Sequence, residues 1–342
     1  MNPFAGILLI ALGSIGAASF YVPFKKVKTW AWESYWLSQG VAAWLIAPVL
    51  FAYIFVPGGE LLPIIRDAPL HAKLMAMFFG ALWGFGGLTF GLSIRYLGVA
   101  LGQIIALGLC AAFGTLIPPV ISGKDLFAST TGILTIVGVS IAVAGIAIIG
   151  YAGSLKSREM TEEEKKVAVK EFALRKGILI AIFAGIMSAC FNFGFESARP
   201  IENVALAHGT NPLFQKNPSL IFILLGGFVT NLVYCGYLNI KNKTYRDYIS
   251  VPGSVLINNL FFTFLAGFLW FLQFHFFGMG SSKLPEGMAV FGWSILMALN
   301  IAISNIWGIF LKEWKGAKRK TIIVLITGIL ILILSTFVVK LG

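Results

Sequence analysis

The chain has 342 residues, 58% of them hydrophobic and 12% charged, with 26 Lys and Arg set against 14 Asp and Glu for a net charge of +12. Soluble domains carry about 25% charged residues, so a mean hydropathy of +0.87 excludes that class. The positive charge is concentrated between apolar segments and reads as membrane topology, with no nucleic-acid partner.

Ten apolar segments run at about 4–22, 34–56, 74–94, 97–118, 130–151, 178–198, 218–239, 255–278, 288–311 and 321–339. Each approaches the ~20 residues that a helix needs to cross a ~30 Å hydrocarbon core. Nineteen of the 26 Lys and Arg lie in alternate gaps: Lys25, Lys26 and Lys28; Arg95; seven between 156 and 176; Lys241, Lys243 and Arg246; and five between 312 and 320. The other gaps and the termini hold the remaining seven: Arg66, Lys73, Lys124, Arg199, Lys216, Lys283 and Lys340. Basic residues are retained on the cytoplasmic side, so both termini are expected in the periplasm. The first segment has three lysines after it and none before it, the reverse of a cleaved signal peptide, and is expected to stay as helix one.

The longest interruption, 153–177, is expected to be a cytoplasmic linker helix, with Thr161 and Glu164 at capping-box spacing. It divides the chain into 1–152 and 178–342, five segments each. Helices one and six share the pattern Ser14-Ile15-Gly16-Ala17-Ala18-Ser19-Phe20 against Gly185-Ile186-Met187-Ser188-Ala189-Cys190-Phe191. Helices three and eight share Gly80-Ala81-Leu82-Trp83 and Gly267-Phe268-Leu269-Trp270. The expected fold is therefore an all-α membrane protein of ten transmembrane helices in two inverted five-helix repeats, a transporter architecture. Gly80, Gly84, Gly87 and Gly91 give helix three a bare face for close packing or for sliding.

Polar side chains within spans are expensive and usually face a bundle interior or a cavity. Helix six carries Ser188, Asn192, Glu196 and Arg199 on one face, and helix one the corresponding row Ser14, Tyr21, Lys25 and Lys28. Glu196 and Arg199 could equally form an i, i+3 pair at the outer interface. Helix eight carries Asn259, Trp270 and Gln273, helix nine Asn300 and Trp307, and helix four Gln103. An amide exchanges hydrogen bonds with hydroxyls while an aromatic ring covers an apolar C–H face, a combination that suits a sugar. Each of these residues could equally be interhelical glue. Among the acids, elimination of those in gaps and in the linker leaves Glu33, Glu196 and Glu286 as proton-carrier candidates, with His275 read as structural. Glu33 could instead simply complement its helix dipole and pair with nearby lysines. Cys110, Cys190 and Cys235 sit in spans at no metal spacing, and His71, His208 and His275 are scattered, so neither a metal site nor an enzyme is expected. No G-x-x-x-x-G-K-[ST] run provides for ATP, and no cofactor is implied.

The stretch Phe20-Tyr21-Val22-Pro23-Phe24-Lys25-Lys26-Val27-Lys28 with Trp32-Glu33 closely resembles the bacterial L-rhamnose–proton symporters of the drug/metabolite transporter superfamily. The resemblance continues at Phe79 to Gly84, at Arg95-Tyr96-Leu97-Gly98, at Leu269 to Phe274 and at Leu311-Lys312-Glu313-Trp314. It implies an inner-membrane protein whose partners are a sugar, a proton and the lipid bilayer. Lys25, Lys26, Glu33, Arg95, Trp270 and Gln273 lie within the matching stretches, whereas Glu196 and His275 do not. The competing reading is an exporter of another small solute from the same superfamily.

Overall fold

The computed structural model describes residues 2–121, 123, 125–159, 174–312 and 314–338, and every regular element among them is helical. The first half runs α1 (Pro3–Ser19), α2 (Tyr21–Phe24), α3 (Trp32–Gly40), a π-helical turn (Val41–Ile46), α4 (Ala47–Phe55), α5 (Leu61–Asp67), α6 (Leu70–Ile121) and α7 (Thr130–Glu159). The second runs α8 (Leu174–Ser197), α9 (Arg199–Ala207), α10 (Asn217–Lys241), α11 (Gly253–Ser281), α12 (Glu286–Phe310) and α13 (Arg319–Ser335). Nine helical stretches among the described residues have at least 18 residues and enough apolar character to cross a membrane. The last expected span is shorter, since α13 has 17 residues and rises about 26 Å. Leu8, Tyr53, Val233, Phe261 and Phe310 are exposed, the kind of apolar surface that lipid covers.

Two boundaries differ from expectation. The gap read at Arg95–Tyr96 has helical backbone, continuous over Leu70–Ile121. The chain nevertheless reverses there. A Cβ on Gly102 would lie 3.1 Å from the Ile94 nitrogen, whereas residues eight apart in a straight helix are separated by about 12 Å. The fifth segment, read to residue 151, is also longer as a helix, because α7 continues to Glu159. Its last turn carries Lys156 and Arg158, which complement the helix dipole. Glu159 then accepts from the Lys318 N–H (2.8 Å) and the Thr321 hydroxyl (2.7 Å), capping α13. Thr161 and Glu164 lie outside the described residues.

The chain forms two compact units, each drawing on both sequence halves: Met1–Ala11, Phe85–Asn192 and Lys283–Gly342 in one, Leu12–Gly84 and Phe193–Ser282 in the other. The first unit is built on α7, α12 and α13. Ala142, Ile146, Ile149, Ala298, Ala302, Leu325 and Leu332 form its core, and Gly328 lets α13 approach the α7 backbone, where a Cβ would lie 3.2 Å from the Gly145 oxygen. Several of its internal polar groups are bonded between helices. Trp293 Nε1 donates to the Cys110 carbonyl (3.2 Å), Asn192 Nδ2 to the Gly114 carbonyl (2.7 Å), and Thr115 and Ser294 share a 2.7 Å bond.

The second unit packs α3, the π turn and α4 against α10 and α11. Gly267 brings α11 onto the backbone of residues 39–43, with the Gln39 oxygen 2.6 Å from where a Cβ would stand. Gly13 and Gly16 of α1 lie against the α11 backbone at Gln273 and Leu269. Gly80 of α6 and Gly226 of α10 sit reciprocally on the carbonyls of Ile223 and Met77. The glycine stripe of helix three is thus only partly used, because Gly87 and Gly91 face open space. Asn259 fixes the loop before α3 by accepting from the Lys28 N–H (2.9 Å) and donating to the Lys28 carbonyl (2.7 Å).

Candidate functional site

Pro48 explains the π turn. Proline has no N–H for the Trp44 carbonyl and its ring crowds that carbonyl in a regular α-helix. The backbone widens through Val41–Ile46, and the Ala47 N–H reaches back five residues to the Ala42 carbonyl. Such turns are frequent at functional sites. Here the widening accompanies a tryptophan that folds over Gly40: a Cβ on Gly40 would lie 2.6 Å from the Trp44 ring.

Trp44 is the centre of an aromatic nest within the second unit. Its ring meets those of Trp36, Trp83 and Trp270 edge-on, at centroid distances of 6.1, 5.9 and 5.8 Å. Trp83 and Trp270 lie 5.5 Å apart with their planes tilted by 36°. The elements deliver these rings from three helices: α3 with its π turn, α6 and α11. Gln39, one turn from Trp36 and beside Gly40, is fully buried. Neither its amide oxygen nor its amide nitrogen has a hydrogen-bond partner, and the Trp44 Nε1 has none either. An unbonded buried polar group costs about 1–3 kcal/mol, so this concentration calls for a reason.

Three of the six substrate candidates belong to this unit. Trp270 stands in the nest, and Gln273, one turn further on, is buried and donates to the Trp270 carbonyl at 3.0 Å. Tyr21 is 58% exposed and packs on Phe20 and Phe24 at 4.0 and 5.9 Å. The other three belong to the first unit: Asn300 and Trp307 on α12, both half-buried, and Gln103 on α6, whose side chain lies outside the described set, as does that of Arg95.

The charged candidates separate by partner. Glu33 is 6% exposed, and its Oε1 accepts from Asn242 Nδ2 and Thr244 Oγ1, both at 2.9 Å. Its partners are neutral, not Lys25, Lys26 or Lys28, and all three of those lysines are exposed. Glu196 pairs with Arg199 at 2.7 Å, both well exposed, which is the interfacial alternative. Glu202, read from sequence as a gap residue, is buried against Lys216 with Nζ 3.0 Å from each carboxylate oxygen. Lys216 also covers the Phe195 ring at 5.1 Å. His275 bonds Asn217 Oδ1 at 3.0 Å among Phe51, Phe55 and Phe214, surroundings that suit a structural role.

A protein-family model described as "L-rhamnose-proton symport protein" matches residues 2–342. The chain belongs to that family. The L-rhamnose-proton symporter of Yersinia pestis (strain Pestoides F) is 37% identical over 341 residues, covering 98% of this chain and 97% of the relative. The symporter of Yersinia pseudotuberculosis serotype O:1b (strain IP 31758) matches with the same identity and coverage. Membership in the L-rhamnose-proton symport family upholds the resemblance read from Phe20–Glu33 and its companions, and with the apolar helices it makes this a multi-pass membrane transporter rather than an enzyme. Sequence reasoning missed Gln39 and the Glu202–Lys216 pair. Gln39 did leave a signal, as a lone amide in the apolar segment 34–56.

Proposed function

We propose that this chain imports L-rhamnose together with a proton by alternating access. The observation that carries this reading is the full-length relationship to proteins named L-rhamnose-proton symporters. The tryptophan nest supports it, because indoles provide apolar faces for the C–H side of a 6-deoxyhexose and nearby amides can bond its hydroxyls. Trp270 and Gln273 are proposed ligands, with Tyr21, Gln103, Asn300 and Trp307 as further candidates. The exporter alternative is not favoured by the relatives.

Glu33 is the proposed proton carrier. It is buried with neutral partners, so no fixed cation holds its charge, unlike Glu196 and Glu202. Its two donors favour the carboxylate, so a proton binds when those bonds open and water is withdrawn as the site closes. Lys25, Lys26 and Arg95 are the further charged candidates. A ~150 mV potential supplies roughly 3.5 kcal/mol per proton, enough for a concentration ratio of a few hundred.

The proposed architecture is ten spans in two inverted repeats, in the inner membrane with periplasmic termini. The reversal between Ile94 and Gly102 supports separate third and fourth spans, and the distribution of Lys and Arg supports the orientation. Uptake of labelled L-rhamnose into proteoliposomes, with and without an imposed inward proton gradient, tests the function. Accumulation only with the gradient is expected; equal uptake without it would remove the symport reading. A C-terminal alkaline phosphatase fusion should be active, and a fluorescent but phosphatase-inactive C-terminus would reverse the topology.

A further inference from the structure

We infer that Gln39, with the indole N–H of Trp44, is the hydroxyl-reading pair of the sugar site, a role that rests on the transport reading above. Three independent observations meet at this point of the second unit. Gln39 is 0% exposed and both atoms of its amide lack a partner, as does Trp44 Nε1. Trp44 stands on the π turn that Pro48 imposes and Gln39 at the end of α3 two residues before it, where the widened backbone and bare Gly40 make room for the Trp44 ring. Trp36, Trp83 and Trp270 bring three more rings against Trp44.

The chemistry fits a polyol. An amide presents one acceptor and two donors on the same plane, so it can accept from one hydroxyl and donate to the next on adjacent sugar carbons. The indole N–H adds a donor only. Nearby polar groups of this unit are bonded, Ser38 to Thr263 at 2.7 Å, Asn239 to the Cys235 carbonyl at 2.9 Å and Trp36 Nε1 to Asn231 at 3.0 Å; Ser14, Trp30, Thr210 and Asn217 each leave one buried atom unbonded, whereas Gln39 leaves both ends of its amide. Gln39 is the amide of α3 left for an external ligand. A site that bonds hydroxyls rejects analogues lacking them, which makes Gln39 a specificity residue rather than a packing residue.

The test compares wild type, Gln39→Leu and Trp44→Phe, purified in detergent, by calorimetric binding of L-rhamnose and by melting temperature. Gln39→Leu should weaken binding roughly tenfold to a hundredfold, with the melting temperature unchanged or higher, because leucine fills similar space without orphaned polar atoms. Trp44→Phe keeps a ring and removes the N–H, and should weaken binding by roughly threefold to tenfold. Binding by Gln39→Leu within twofold of wild type would overturn the assignment. So would a binding loss matched by a fall in melting temperature, which identifies packing. If Gln39→Leu does not fold, Gln39→Met carries the same two criteria, and its failure to fold as well would count as the packing outcome. A panel of monosaccharides separates this from the substrate reading. If wild type ignores L-rhamnose but binds another sugar that Gln39→Leu loses, the substrate falls and Gln39 stands; if wild type binds no sugar, both fall.

Discussion

Replacing Gly226 with alanine should destabilise the protein, whereas the same change at Gly87 should not. A methyl at Gly226 would land on the Met77 carbonyl oxygen and lie 2.8 Å from the Ala81 nitrogen, so both obstacles are backbone and neither can rotate away. A carbon needs roughly 3.3 Å from a carbonyl oxygen, so α10 and α6 must separate by more than about 1 Å. Overpacking of this kind costs about 1–3 kcal/mol, partly offset by the ~1 kcal/mol preference of helices for alanine over glycine. The separation also disturbs Trp83, whose ring lies on neighbouring Gly227. A methyl at Gly87 meets nothing within 4 Å and should gain up to ~1 kcal/mol from propensity alone. The two variants should therefore differ by about 1–3 kcal/mol, or roughly 2–12 °C at 2–4 °C per kcal/mol. Melting in a single detergent, followed by tryptophan fluorescence, reads this difference. Melting temperatures within a degree of one another would refute the assignment of Gly80 and Gly226 as the crossing point of these helices.

Glu33→Gln should keep L-rhamnose binding and exchange but lose accumulation against a gradient and the pH dependence of uptake; a Gln variant that still concentrates sugar in step with the pH gradient would exclude Glu33 as carrier. Gln273→Leu should impair sugar binding more than His275→Phe, because His275 is held by Asn217 and the Phe51, Phe55 and Phe214 rings; equal losses in calorimetry would reject that separation. Lys216→Met should destabilise by about 3–5 kcal/mol by leaving Glu202 buried and unpaired, and adding Glu202→Leu should restore most of the loss. A double variant no more stable than Lys216→Met, in a thermal unfolding series, would show that the pair is not coupled.

The spans could be read from the sequence because the length of an apolar run is a local property, and the cost of exposing it outside lipid is paid residue by residue. Position of Lys and Arg is local too, so it suffices for an orientation to be argued. The family stretches around Tyr21–Glu33 and Leu269–Phe274 were equally visible as strings. Helix contacts were not. The stripe Gly80, Gly84, Gly87 and Gly91 is continuous in sequence, yet only the packing of α10 decides that Gly80 and Gly84 are buried against it while Gly87 and Gly91 are open. Charge state partners behave likewise. Glu33 sits close in sequence to three lysines, but the fold gives it Asn242 and Thr244 from a distant turn. Gln39 shows the difference most clearly. Its identity as an amide in an apolar run is written in the chain, but an amide matters by whether its neighbours bond it, and that depends on side chains brought together from α3, α6 and α11. Pro48 dictates a local widening of the helix; tertiary packing then fills it with Trp44 and leaves the Gln39 amide unbonded.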